Sequence, residues 1–345
     1  MKHVYAYAQT KFYKNVERAL REKPATTFSQ RALSGVAKGV LMRVGSALAF
    51  SMMATVAKLT AGYPIGQIVF FRSLLALCVL ILWLRARSEF PHAIRTHRPF
   101  GHLGRGLAGT CGMFSYFLAV ALLPLPDVTA IGYLAPLLVV ALAALILGET
   151  VRAYRWGAVI VGFLGVIVMV GEHLGEGAGS SVGALAAVST ATFAAIATIQ
   201  TRRLALSEYT GAIVFYFSAL TTLFGFILMT AGYVWPANAP LSAFLESQKW
   251  VTPGPHDLFM LVAIGLLGGV GQIWLTDCVR YAEASVIAPF DYTSIIWAVL
   301  LGYIFFNDKP TIAILIGSGI VIASGLFVLW RERQLKIIRT RSPGR

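Results

Sequence analysis

The sequence predicts an all-α integral membrane protein, with ten transmembrane helices arranged as two inverted five-helix repeats. Three observations predict it. Hydrophobic residues make up 57% of the chain and charged residues 13%, about half the usual charged share of roughly 25%, which excludes an ordinary soluble domain. Apolar runs near ~20 residues recur ten times, each long enough to span a bilayer. The chain also repeats itself. Shifting the stretch from Gly106 to Gly165 by 159 residues places Gly106, Gly109 and Gly112 on Gly265, Gly268 and Gly271, Leu107 on Leu266, Tyr133 on Tyr292 and Glu149 on Asp308. After one extra residue near Lys309-Pro310, Gly157 falls on Gly317 and Gly165 on Gly325. Earlier, Ile68-Val69-Phe70-Phe71 with Ser73 is echoed by Ile213-Val214-Phe215-Tyr216 with Ser218. Two weakly similar apolar halves are the mark of a transporter.

In chain order, residues 1–40 form a basic arm. No short apolar core with a small-residue cleavage site follows it, so a cleaved signal peptide is not expected. It reads as a cytosolic arm, either a helix lying on anionic lipid or a solvated tail. The apolar runs are 42–61, 65–84, 102–122, 127–147 and 154–171 in the first repeat (41–172), and 181–201, 211–233, 258–278, 284–306 and 311–330 in the second (181–330). With no water in the bilayer core each must satisfy its own backbone, so all ten read as helices. Pro, Gly and charged residues punctuate the joints, as in Pro124–Asp127 and Thr252–Asp257. A basic cytosolic tail, 331–345, follows.

Lys and Arg set the orientation. With the N-terminus inside, the arm to Arg43 holds nine, the second-to-third loop five (Arg85, Arg87, Arg95, Arg98, Arg105), later inner joints five (Arg152, Arg155, Arg202, Arg203, Arg280) and the tail six. The other side keeps only Lys249 and Lys309; Lys58 and Arg72 lie within apolar segments. The net charge of +14 therefore reads as topology in the cell inner membrane, with both termini cytoplasmic, and not as a nucleic-acid surface. Five spans per half is an odd number, so the halves must face opposite ways.

The run YLAPLLVVALAALILGE followed by RWGAVIVGFLGVIVM, and Ala288-Pro289-Phe290-Asp291-Tyr292-Thr293 before Trp297, make the chain similar to the EamA group of the drug/metabolite transporter superfamily. The resemblance covers roughly 40–330. It implies a secondary active transporter working by alternating access, for amino acids, related metabolites, riboflavin or S-adenosylmethionine, without selecting among them. The halves have diverged. Ile295 stands where the first half has Pro136, and Asn307-Asp308 where it has Gly148-Glu149.

Intramembrane charge marks the candidate substrate site, because it is costly unless paired or hydrated. Arg72 lies seven residues into its segment, about 10 Å below the outer boundary at ~1.5 Å per residue. It reads either as an anchor for a carboxylate or phosphate or as a structural Arg on helix-end carbonyls. Asp291 lies equally deep from the inner side. Pro289 frees the carbonyl of Ser285, and Pro136 frees that of Gly132, the repeat-equivalent of Asp291. A carboxylate facing a freed carbonyl suits a cation, a substrate amine or a coupling proton, against the plainer reading of a capped or interfacial Asp. Tyr116, Tyr133, Gln272, Trp274, Tyr292 and Trp297 are candidate cavity residues, though each taken singly suits packing. Asp277 with Arg280 reads as an interfacial ion pair, Asp127 as a charge favoured at a helix N-terminus, Glu149 as part of an inner turn, and Lys58 as a snorkelling side chain. The glycines spaced by three allow close helix approach. Trp235 and Trp250 read as outer anchors.

No catalytic residue, cofactor or metal site is expected. The chain lacks a Gly-x-x-x-x-Gly-Lys phosphate loop. Cys78, Cys111 and Cys278 show no metal spacing and read as free core thiols, and the six histidines scatter through tails and joints. The other class is an integral-membrane enzyme acting at the cytosolic face, for which only His97, His102 and neighbouring arginines form a loose group. The partners expected are a small-molecule metabolite, the lipid bilayer and a coupling proton, with the chain a monomer or homodimer.

Overall fold

A computed structural model of the protein describes residues 25–147, 153–174, 177–205, 207–236, 242–278, 281 and 287–341. Ten helices are long and apolar enough to cross a membrane, and no strand occurs among the described residues. They are α1 (Ala25–Leu59), α2 (Ile65–Ala86), α3 (Pro99–Leu122), α4 (Leu125–Gly132 and Leu134–Leu147), α5 (Ala153–Leu174), α6 (Ala178–Leu204), α7 (Thr210–Val234), α8 (Pro255–Asp277), α9 (a 3-10 turn, Ala288–Tyr292, running into Thr293–Phe306) and α10 (Ile312–Arg341). A short helix, Ser242–Ser247, lies between α7 and α8.

Proline sets several starts. It occupies the first turn of α3, α4 and α8, where its missing N–H costs nothing. At the end of α9, Asn307 takes a left-handed conformation (φ 56°), and Asp308 N–H bonds back to the carbonyl of Gly302. The first helix differs from expectation. It begins at Ala25, well before the apolar run at 42, because no proline interrupts 25–59. The last part of the basic arm is therefore helix, while residues before 25 lie outside the described ones.

The packing is reciprocal between the halves. α3 packs on α6 while α8 packs on α1; α3 also meets α7 while α8 meets α2; α2 lies against α7 and α5 against α10. The repeated glycines explain the closeness. A side chain on Gly112 would press on Phe193 of α6, and one on Gly271 would press on Phe50 of α1. Outward faces are apolar, with Phe163, Ile167, Phe226 and Ile304 about half exposed, as a lipid-facing belt requires. Cys78 and Cys111 sit on such exposed faces, so they are not the core thiols expected; Cys278 is buried, and none of the three forms a disulfide among the described residues.

Polar contacts distinguish the two ends of the bundle. At one end Lys58 Nζ meets Asp308 Oδ2 at 2.8 Å, Tyr63 donates to Asp257 at 2.6 Å, and Gln67 is bonded to the Val251 backbone both ways. Also there, Asp127 and His173 form a buried pair at 3.1 Å, and Thr311 donates to Glu172 at 2.6 Å. The opposite end holds Arg87 with Asp277 (3.0 Å), and Glu208 with the His97 N–H (3.0 Å) and His102 (3.4 Å). Burial pushes the Glu208 carboxyl up, but hydrogen bonds from His97 N–H, Thr96 and His102 outweigh it and hold the group below the usual carboxylate range.

Candidate functional site

A cavity of about 780 Å³ lies between the halves. It runs from Met53 and Arg72 in mid-bundle to Arg202, Ala205 and Thr210 at the Glu208 end. A second cavity of about 270 Å³ adjoins it, and the two share Phe50, Tyr116, Thr190 and Leu275.

Helical spacing builds the larger cavity's wall. Arg105, Gly109, Gly112 and Tyr116 recur on one face of α3, and all four line it. Arg72 enters from α2 and is 2% exposed, yet its Nε and Nη1 have no hydrogen-bond partner among the described residues. Gly268 makes its place, since a Cβ there would stand 3.2 Å from the Arg72 Nε. The ring of Phe217, which the echo of Ile68–Ser73 makes the repeat-equivalent of Arg72, lies beneath both cations. The Arg72 and Arg105 Cζ atoms are 5.8 and 4.2 Å from its centroid. Arg105 Nε donates to Thr201 Oγ1 at 3.3 Å, while its Nη1 is buried without a hydrogen-bond partner among the described residues.

The smaller cavity holds the carboxylate. Asp291 lines it together with Gly132, whose carbonyl Pro136 leaves free. Asp291 is ion-paired with Arg43 from α1, a residue the sequence reading counted with the arm. Asp291 follows Pro289 in the 3-10 turn that opens α9, so its side chain enters the cavity from a helix start.

The other expected residues fall in different places. Gln272 lines the larger cavity, and Tyr116 lines both. Tyr133 sits at the break in α4 and braces the start of α9: its hydroxyl meets Ser294 Oγ at 2.8 Å and accepts from the Ile295 N–H at 3.0 Å. Tyr292, its repeat-equivalent, stacks edge-on against it with centroids 5.1 Å apart, and its hydroxyl fills the space a side chain on Gly325 would take. These two tyrosines join α4 to α9 and line neither cavity. Trp274 is 39% exposed and packs on Gly45; Trp297 buries an Nε1 without a hydrogen-bond partner among the described residues; neither lines either of the two cavities. Asp277 is met by Arg87, while Arg280 and Glu149 lie outside the described residues. Lys58 is tied to Asp308, which also accepts from the Leu125 N–H at 3.3 Å. Asp127 is at the start of α4 as expected, but its imidazole partner His173 was not foreseen.

Arg43, Arg105 and Phe217 are the residues sequence reasoning missed. A signal existed for the arginines. Arg105 leads the Gly109, Gly112 and Tyr116 face, and Arg43 leads a stripe through Ala47, Phe50 and Ala54 that lines the smaller cavity. Counting Arg43 with the arm and Arg105 with a loop hid it.

The model of the EamA-like transporter family matches this chain twice, at residues 37–171 and 181–330. The chain belongs to that family. This transporter is 32% identical over 298 residues to a pseudopaline exporter of Pseudomonas aeruginosa, covering 86% of this chain and 97% of that one. It is 26% identical over 268 residues to an S-adenosylmethionine uptake transporter of Rickettsia prowazekii, covering 78% and 84%. It is also 26% identical over 309 residues to a riboflavin transporter of Rhizobium johnstonii, covering 88% and 94%. A solved crystal structure superimposes with a TM-score of 0.58 at 20% identity, covering 87% of this chain and 99% of that one, a likeness of fold. The transporter is thus a multi-pass membrane protein of a transport family, and the enzyme class falls away.

Proposed function

We propose that this transporter is a secondary carrier that moves a small polar metabolite with an anionic group across the inner membrane by alternating access. The observation that carries this reading is the larger cavity. It lies between the halves, sets Arg72 and Arg105 over one ring and reaches one end of the bundle, while the Lys58–Asp308 and Gln67–Val251 contacts tie the other. Arg72 anchors the anionic group, Tyr116 and Gln272 supply neutral hydrogen bonds, and Asp291, paired to Arg43, takes a substrate amine or a coupling proton. The named relatives differ in cargo, so the chemistry of this cavity is the guide to what this chain carries.

Residues 41–172 and 181–330 form the two inverted repeats in this reading. Reciprocal packing supports it, as do the helix directions. α1 runs toward the Asp308 end, whereas its counterpart α6 starts there, beside His173, and runs away. The arginine-bearing Glu208 end is then cytoplasmic, and the cavity is caught facing inward. A reporter fused to the C-terminus is expected to be active only when it is a cytoplasmic type; activity of a periplasm-only reporter sinks the orientation. The function itself is tested by flux into proteoliposomes loaded with anionic metabolites, beside turnover of membrane-embedded substrates. Saturable exchange of one metabolite is expected; turnover without exchange removes the carrier reading.

A further inference from the structure

We infer that the cavity is a two-guanidinium site made for a doubly charged anionic group, with Arg105 as the second anchor beside Arg72. The inference rests on the transport reading above and names the class of substrate that reading leaves open.

Arg105 was expected in an inner loop, yet it lies inside α3 on the cavity wall. Both guanidiniums approach the one ring of Phe217, so they lie within about 10 Å of each other, near enough for like charges in a low-dielectric site to oppose one another. Arginine cannot shed its proton to relieve this. Among the described residues no carboxylate is ion-paired with either, and the carboxylate of the adjoining cavity, Asp291, is held by Arg43. Three buried nitrogens of the two arginines have no hydrogen-bond partner among the described residues: Nε and Nη1 of Arg72 and Nη1 of Arg105. All three belong to guanidinium forks, whose geometry fits carboxylate and phosphate oxygens.

One carboxylate would neutralise one cation and leave the other stranded in the membrane interior. Two negative charges on one ligand compensate both. They come as two carboxylates on one small metabolite or as one phosphate group. Thr201 holds the Arg105 Nε through its hydroxyl, which fixes the fork without neutralising it. The rest of the cavity, up to Tyr116 and Phe50, leaves room for a larger remainder of the molecule.

The test uses the purified full-length protein in low-chloride buffer, with butyrate, glutarate and inorganic phosphate as probes and thermal stabilisation as the readout. The wild type is expected to respond to glutarate or phosphate at concentrations at least about tenfold below those needed for butyrate, a difference of about 1.4 kcal/mol. Arg105→Gln is expected to shrink that preference to within about twofold while butyrate still binds, and Arg105→Lys to restore part of it. A response to glutarate alone assigns paired carboxylates; a response to phosphate alone assigns a phosphate group. Equal responses of the wild type to butyrate and glutarate overturn the inference, as does a preference that survives Arg105→Gln or full stabilisation by chloride. If the probes act alike while a monoanionic metabolite is still exchanged in proteoliposomes, the two-charge inference fails and the transport reading stands. If no anion of either class is bound or exchanged, the reading of the cavity itself has failed.

Discussion

Arg72→Gln is expected to lower transport by roughly 30-fold or more, since losing one partner of a buried charged contact costs about 2–5 kcal/mol. Folded yield should hold steady or rise. The two halves of that expectation share one cause. The guanidinium is buried, and among the described residues two of its nitrogens have no hydrogen-bond partner and no carboxylate is paired with it. A charge with no protein counter-charge in such a place destabilises the fold, so removing it relieves the protein when no substrate is bound. The same charge is what the substrate's anionic group meets, so removing it weakens binding. Arg72→Lys should fall between. Its ammonium keeps the charge but has no planar fork, and its shorter reach leaves it farther from the Phe217 ring. Initial exchange rates and the thermal midpoint, taken on the same three preparations, decide the matter. Equal exchange by all three proteins removes the anchor role. A lower midpoint for the Gln variant would instead make Arg72 a structural cation.

At Asp291 the expected result depends on its partner. Asp291→Asn alone should lose gradient-driven accumulation and also lose folded yield, because Arg43 is then left without its carboxylate. Arg43→Gln combined with Asp291→Asn strands no charge, so yield should return, and the non-additive pattern measures the pair. If Asp291 carries the coupling proton, the double variant should regain part of substrate exchange, which needs no net proton movement, but not accumulation driven by a pH gradient. If Asp291 instead holds a substrate amine, exchange should be lost along with accumulation at every pH. Wild-type gradient-driven uptake by the folded double variant ends both roles and leaves the pair as a brace between α1 and α9.

Much of the fold was legible because membrane helices must satisfy their own backbones within continuous apolar runs. The runs appear in the sequence at the places where α2 to α9 form, within a few residues of their described ends, whereas α10 continues as helix to Arg341, well past the run that ends at 330. α1 was misjudged by more than ten residues at its start, because a basic stretch that continues a helix carries no apolar signal. The site was legible only in part. Arg72 and Asp291 stand out as charges inside the apolar runs of α2 and α9, and Gln272 and Tyr116 as a polar and an aromatic residue inside those of α8 and α3. Trp274 looked no different in sequence from Gln272 two residues earlier, yet it faces outward against Gly45.

The sequence by itself determined the number of spans, the weakly repeated halves and the bias of charge to one side, because each follows from the chemistry of one segment against lipid or water. Only the tertiary structure decided which charges are paired. Arg43 and Asp291 are separated by 248 positions, and Lys58 and Asp308 by 250. It also decided that Arg72 and Arg105 share one ring, with no carboxylate among the described residues paired to either. The physical reason is that pairing depends on where helices from the two halves meet. That meeting is set by glycines such as Gly268, whose missing side chain gives the Arg72 guanidinium its place. No local pattern around either arginine records it.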